Sequence, residues 1–267
     1  MAGGTDLLVQ IKGGKRKPQC VVDLKGIEEM EGIRLSGGEL WIGALTRIRE
    51  IETSDSILRN ASLLACAAAK LGSVQVRYRA TIGGNLCNAS PSAETAPALL
   101  VLDAQAVICG RAGTRIVPLE RFFSGPGATV LREDEILTGL KIPLSGARRG
   151  AVYYKLSARK AMDLAFVGVA VRLEVGGEGC ITKARIALGA VAPMPIRALP
   201  AEKVLEGAAL SPEAAREAAE QAAQCSKPIS DHRASAEYRR EMVRELCERG
   251  VIEAYAQATS VTKGKNG

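Results

Sequence analysis

The chain reads as an α+β protein in two parts, and three observations predict it. Strand-like runs separated by Gly-rich turns fill much of the first half; three alternating runs begin at Ala151; and the periodicity turns helical from Ala198 onward. Strands followed by a block of helices point to antiparallel sheet with helices laid against it. A length of 267 residues suffices for one large domain or two modest ones, and 47% hydrophobic residues with only 3% aromatics imply a core of Val, Ile, Leu and Ala.

Taken in order, Thr5 to Ile11 reads as a helix, and Cys20 to Leu24 as a strand. Gly32 to Leu35 and Glu39 to Gly43 flank Ser36-Gly37-Gly38, a hairpin signal. Thr46 is placed to cap a helix starting near Arg47, and the alanine-rich run Ala61 to Leu71 is strongly helical. Thr81 to Asn88 reads as a loop, Pro97 to Leu102 as a short helix, and Ala106 to Cys109, Thr114 to Val117 and Ile136 to Pro143 as strands. Gly146 to Gly150 looks like a linker. Ala151 to Leu156, Ala165 to Val175 and Ile181 to Leu188 form a meander, with Gly176 to Gly179 joining the last two. Helices follow over Pro200 to Glu206, Ser211 to Cys225 and Ser235 to Gly250; Ser211-Pro212-Glu213 supplies cap, first-turn proline and early acid. The polar tail 259–267 reads as frayed.

Composition removes several function classes. The net charge of +7 is scattered, with clusters only at Lys12 to Lys17, Arg148-Arg149 and Arg239-Arg240, and almost no aromatics lie among them, so no nucleic-acid stacking platform is expected. Seven cysteines without a C-x-x-C pair, beside a single histidine, His232, build neither a zinc nor an iron–sulfur site in this chain. With no signal peptide, they read as reduced thiols in a cytoplasm. No apolar run reaches the about 18 residues a membrane helix needs. His232 lies in a polar stretch with no nucleophile elbow near it, which argues against triad catalysis.

Two glycine tracts remain: Ala2-Gly3-Gly4-Thr5-Asp6 and Thr81-Ile82-Gly83-Gly84-Asn85. Paired glycines beside hydroxyl and amide groups leave main-chain N–H donors open to a phosphate, and two such tracts suggest a clamp on a diphosphate. Neither has the G-x-G-x-x-G spacing of a Rossmann turn or the lysine of a P-loop. Each would also serve as a plain turn, with Thr5 or Asp6 as a helix cap.

The residues around both tracts tip that balance. Ala2 to Leu7, Arg79 to Leu86, Pro91, Pro97 to Ala104, Lys155-Leu156 and Met162 to Ala165 together resemble the FAD-binding subunit of molybdenum hydroxylases. That family includes the medium subunit of aerobic carbon monoxide dehydrogenase and the flavin domain of xanthine dehydrogenase. The resemblance implies a vanillyl-alcohol-oxidase-type (PCMH-type) FAD-binding fold of two α+β subdomains, followed by a C-terminal antiparallel sheet plus helices. On this chain it implies an FAD-binding domain over 1–147, split near residue 45, and a C-terminal domain over 151–258.

It also implies site residues. Ala2, Gly3, Gly4, Thr5, Asp6, Thr81, Ile82, Gly83, Gly84 and Asn85 would hold the FAD pyrophosphate through backbone N–H groups and the Thr5, Thr81 and Asn85 side chains. Glu94 stands where relatives often carry an aspartate near the ribose. Leu71, Leu137 and Lys155 align with residues approaching the flavin or adenine, and Tyr153 with a tyrosine near the ring. Each has a plainer reading beside it: Leu71 and Leu137 as core, Lys155 as a solvated strand charge, Tyr153 as a half-buried aromatic, Cys87 as a small buried hydrophobe and Asp163 as a turn anchor.

By the same resemblance, a partner large subunit carries a molybdenum cofactor, a small subunit carries [2Fe–2S] clusters, and FAD passes electrons to an external acceptor, with NAD, a quinone or oxygen left open. This chain then needs no acid/base pair, which suits its poverty of histidine. A flavin subunit with its own [4Fe–4S] cluster would need an inserted cysteine cluster that is not found here. Relatives carry a strand and a helix before the first glycine motif, which here begins at residue 2, so weakened FAD retention is an expectation. The alternative is a non-catalytic scaffold that keeps the fold and binds FAD weakly or not at all.

Overall fold

In the computed structural model, which describes residues 1–144, 148–159 and 162–260, the chain divides into two units. The first comprises Met1–Ser90 and Asp103–Leu144; the second comprises Pro91–Leu102 and the described residues after Leu144.

The first unit contains α1 (Leu7–Lys12), β1 (Ile33–Ser36), β2 (Glu39–Gly43), α2 (Ile48–Thr53), α3 (Asp55–Asn60), α4 (Ser62–Ala69), α5 (Val74–Arg77) and α6 (Ile82–Asn88). It resumes with β3 (Gln105–Gly110), β4 (Gly113–Pro118), β5 (Phe123–Gly125), β6 (Ala128–Thr129) and β7 (Ile136–Pro143). Five strands form an antiparallel sheet in the order β1-β2-β7-β3-β4, and β5-β6 is a separate ribbon. The β1–β2 hairpin pairs Ser36 with Glu39 across Gly37 and Gly38, whose φ values of 60° and 78° suit a two-residue turn that demands left-handed backbone at both positions. Leu40, Ile42, Ala106, Ile108, Leu140 and Ile142 point to one face and are fully buried. Ile48, Ile51, Ile57, Leu64, Ile82 and Leu86 supply the helical side of the same core. Each leucine or isoleucine among them contributes about 1.5–3 kcal/mol by leaving water.

The second unit contains α7 (Thr95–Val101), β8 (Arg148–Leu156), β9 (Val167–Val175), β10 (Ile181–Gly189), β11 (Ile196–Arg197), α8 (Leu199–Leu205), α9 (Pro212–Cys225) and α10 (Ala236–Ser260). Its sheet runs β11-β10-β9-β8, antiparallel throughout. Glycines let α10 descend onto it: a Cβ at Gly150 would lie 1.9 Å from the Ala254 carbonyl oxygen, and one at Gly250 would lie 3.0 Å from Val171. Ser211 caps α9 by accepting the Ala214 N–H at 3.1 Å, and a stripe of buried alanines along α9 permits close helix packing.

Several elements differ from the sequence reading. Cys20 to Leu24 is no strand, because β-propensity without a neighbouring strand forms no ladder; its Leu24 N–H donates to Met1 O at 3.1 Å, and the Met1 amine donates to Val22 O. Thr81 to Asn88 is not a loop but Thr81 followed by α6. The N-cap of α2 is Arg47, and the Thr46 hydroxyl donates instead to Gly32 O at 3.0 Å. Of the expected linker, residues 148–150 open β8, and 146–147 lie outside the described residues. The last helix continues past Gly250 to Ser260; the remainder of the expected tail, 261–267, lies outside the described residues.

Candidate functional site

In the first unit the two glycine tracts meet. Gly3 packs against the chain just before the second tract: a Cβ there would lie 2.1 Å from the Arg79 carbonyl oxygen and 3.0 Å from the Ala80 Cα. A Cβ on Gly84 would lie 4.0 Å from that of Ala2. Gly4 has φ 76°, a left-handed turn that sends the chain from this contact into α1. The first tract is half-buried except for Asp6, which is exposed; Asp6 is the N-cap of α1 and makes no side-chain cap bond.

The tracts differ in what their amides do. In the second, Ile82 N–H donates to Thr46 O (3.0 Å), Gly83 N–H to Ala44 O (2.8 Å), Asn85 N–H to Thr81 O (3.0 Å) and Gly84 N–H to the Thr81 hydroxyl oxygen (3.1 Å). Contrary to the expectation of open donors there, all four are committed within the protein. In the first tract no acceptor among the described residues takes the N–H groups of Gly3, Gly4, Thr5 or Asp6. Gly83 is required for packing, since its Cβ would stand 2.6 Å from that of Ala44. The second tract is therefore a platform and the first is the donor strip.

This donor set fits the diphosphate of a dinucleotide. It offers main-chain amides and the Thr5 hydroxyl at one bend, as an anion held by a nest of backbone dipoles requires. The contacts of Ala44, Thr46 and Arg79 with the tracts were not visible in sequence, because small residues and carbonyls that receive a glycine carry no pattern.

Leu71 and Leu137 are buried, Leu71 just beyond α4 and Leu137 on β7 opposite Ile108. Cys87 on α6 has its thiol pushed up to about 12 by burial, so it stays protonated at neutral pH.

In the second unit Glu94, Tyr153 and Lys155 lie on or beside α7 and β8. The Lys155 ammonium reaches Glu94 Oε1 at 2.9 Å and Asp163 O at 2.7 Å; both ion-pair side chains are 8% exposed, so Lys155 is not a solvated strand charge. Tyr153 is buried, and its hydroxyl lies 3.5 Å from where a Gly168 Cβ would stand. Asp163 anchors a turn by accepting the N–H groups of Arg159 and Leu164, each at 3.0 Å. Burial raises its pKa, but those amides and the Arg159 guanidinium outweigh this and hold it below its ordinary value.

Among the described residues no group of three or more His, Cys, Asp or Glu side chains is placed to hold a metal, and no helix is long and apolar enough to cross a membrane.

Comparison with known proteins bears on what this arrangement holds. The family described as FAD binding domain in molybdopterin dehydrogenase matches residues 1–145, and the CO dehydrogenase flavoprotein C-terminal domain matches residues 152–254. The chain is 33% identical over 260 residues to the xanthine dehydrogenase FAD-binding subunit of Escherichia coli O157:H7, covering 97% of this chain and 89% of that one. It is similar in structure to carbon monoxide dehydrogenase from Hydrogenophaga pseudoflava, with a TM-score of 0.93, 34% identity, and coverage of 96% of this chain and 89% of that one. Quinoline 2-oxidoreductase from Pseudomonas putida 86 superposes with a TM-score of 0.90 at 30% identity, covering 97% of this chain and 89% of that one.

Proposed function

The chain belongs to the FAD-binding subunits of the molybdenum hydroxylases, and from that premise we propose that it is the electron exit of a multi-subunit enzyme. When bound, FAD supplies the redox chemistry, taking electrons from the [2Fe–2S] clusters of a small partner subunit and releasing them to an external acceptor, NAD or a quinone. A large partner subunit with the molybdenum cofactor hydroxylates the substrate, so substrate choice resides outside this chain. The complex works in the cytoplasm.

This chain's own part is binding and orientation. The N–H groups of Gly3, Gly4, Thr5 and Asp6 hold the pyrophosphate, with the Thr5 hydroxyl assisting. Ala2, Thr81, Ile82, Gly83 and Gly84 shape the platform behind them, and Asn85 adds a polar side chain. Leu71 and Leu137 serve the flavin or adenine. Residues 1–147 form the FAD-binding domain and 151–258 the C-terminal domain.

The observation that carries this reading is the contact between the two glycine tracts, which leaves an uncommitted row of amides on the first. Titrating the purified chain with FAD tests it. A stoichiometric yellow complex whose visible absorbance NADH or dithionite bleaches is the expected result; a colourless chain that refuses FAD would establish the scaffold alternative instead.

A further inference from the structure

Arg77, at the end of α5, is buried, yet the reading above gives it no part. Its Nε donates to Glu52 Oε2 at 2.8 Å, its Nη2 to Glu52 Oε1 at 3.4 Å and its Nη1 to the Leu71 carbonyl at 3.0 Å. Glu52, on α2, also pairs with Arg49 at 3.0 Å. One planar guanidinium thus ties together α2, the chain just past α4, and α5.

A buried ion pair is a poor device for stability alone, because two apolar groups of the same volume do as well. Its distinctive property is geometric: a forked donor fixes the direction of every acceptor it meets. Here the acceptors define the path of residues 71–81. The Leu71 carbonyl lies just past the C-cap of α4 and precedes Gly72, which has φ 52°, and Arg77 is its donor. Two residues beyond Arg77 stands the Arg79 carbonyl that receives Gly3. Next, the Ala80 carbonyl accepts the Ile48 N–H at 2.9 Å, and Thr81 bridges to Arg47. The same helix α2 therefore grips this segment at two points, at Arg77 through Glu52 and at Ala80 through its own first turn.

We propose that Arg77 is a positioning residue for the flavin site: through Glu52 and the Leu71 carbonyl it sets the course of residues 71–81, and with it the Arg79 carbonyl on which the first glycine tract rests. This rests on the FAD-binding reading above.

The test uses the full 267-residue chain, with FAD titration by flavin fluorescence and amide hydrogen exchange on the FAD-free protein. Arg77→Met should raise the FAD Kd about tenfold or more, the scale on which outer partners of metal-binding side chains act on affinity. In the FAD-free protein it should also speed exchange across residues 71–84. Arg77→Lys should restore only part of the affinity, because an ammonium cannot span a carboxylate and a carbonyl as a fork does. Glu52→Gln should fall between wild type and Arg77→Met. A wild-type chain that binds no FAD overturns the functional reading itself. A wild-type chain that binds, beside variants of lowered melting temperature but unchanged Kd and unchanged exchange at 71–84, overturns the positioning role alone. Should Arg77→Met fail to fold, Arg77→Lys and Glu52→Gln decide by the same two readouts.

Discussion

A carbon added to Gly3 would lie 2.1 Å from the carbonyl oxygen of Arg79, so backbone meets backbone where the two glycine tracts touch. No side chain can yield there, because the obstacle is the main chain itself. Gly3→Ala should therefore push the tracts apart, costing about 1–3 kcal/mol of stability, the usual penalty of overpacking, and most of the FAD affinity. Gly125→Ala is the control: nothing lies within 4 Å of the added carbon, and the change should stay within about 0.5 kcal/mol of wild type. Denaturant melts and FAD titration of both variants check this.

Thr81 starts α6 by accepting the Gly84 N–H. Thr81→Ala should cost about 1 kcal/mol, the worth of a typical N-cap, whereas Thr81→Ser should cost a fraction of that because it keeps the oxygen. Equal melting temperatures for the two variants would refute the cap's role.

The Lys155–Glu94 pair is nearly dry, so removing one partner leaves the other's buried charge without its ionic neighbour. Lys155→Met or Glu94→Leu alone should destabilise the chain by about 3–5 kcal/mol, and the double variant should recover much of the loss. A double-mutant cycle in chemical denaturation reads the coupling.

Glu135 is bound by the Arg115 guanidinium and by the Arg132 N–H, which hold its carboxyl at about 2, below the ordinary 4.5. Between those values the unfolded chain binds a proton that the folded chain refuses. This contribution to stability is complete above about 4.5 and drains away as pH falls toward 2. Thermal melts across that window should show a shallower acid dependence in Glu135→Gln than in wild type.

Burial pushes the thiols of Cys87 and Cys247 up to about 12, while Cys20 and Cys66 are exposed. Iodoacetamide at mildly alkaline pH should label Cys20 and Cys66 and spare Cys87 and Cys247 until the chain unfolds. Peptide mass spectrometry distinguishes the four.

What the sequence conveyed follows from where the physics is local. The Gly37-Gly38 hairpin, strand β7 ending at Pro143 and the Ser211 cap of α9 were all legible, since turn type, ladder loss and capping are decided within a few residues. Helix α6 was not: Gly83 and Gly84 argue against a helix by propensity, and it stands because Thr81 caps it and Gly83 fits against Ala44. Cys20 to Leu24 failed in the opposite sense, having strand composition without a strand beside it. At the site, the pairing of the tracts is legible, but which of them keeps its amides free depends on carbonyls of Ala44 and Thr46 that no motif marks. The ion pair of Lys155 is not legible in the sequence because its partner lies 61 residues away.

Helix α7 is counted with the second unit although residues 103–144, which follow it, belong to the first. During synthesis neither half can be finished in one pass: a piece of the later half emerges from the ribosome before the earlier half is complete. A gene fragment beginning after residue 144 would lack that piece. With it would go Pro97, the residue that a side chain at Gly189 would strike at 2.8 Å, leaving β10 bare where α7 belongs.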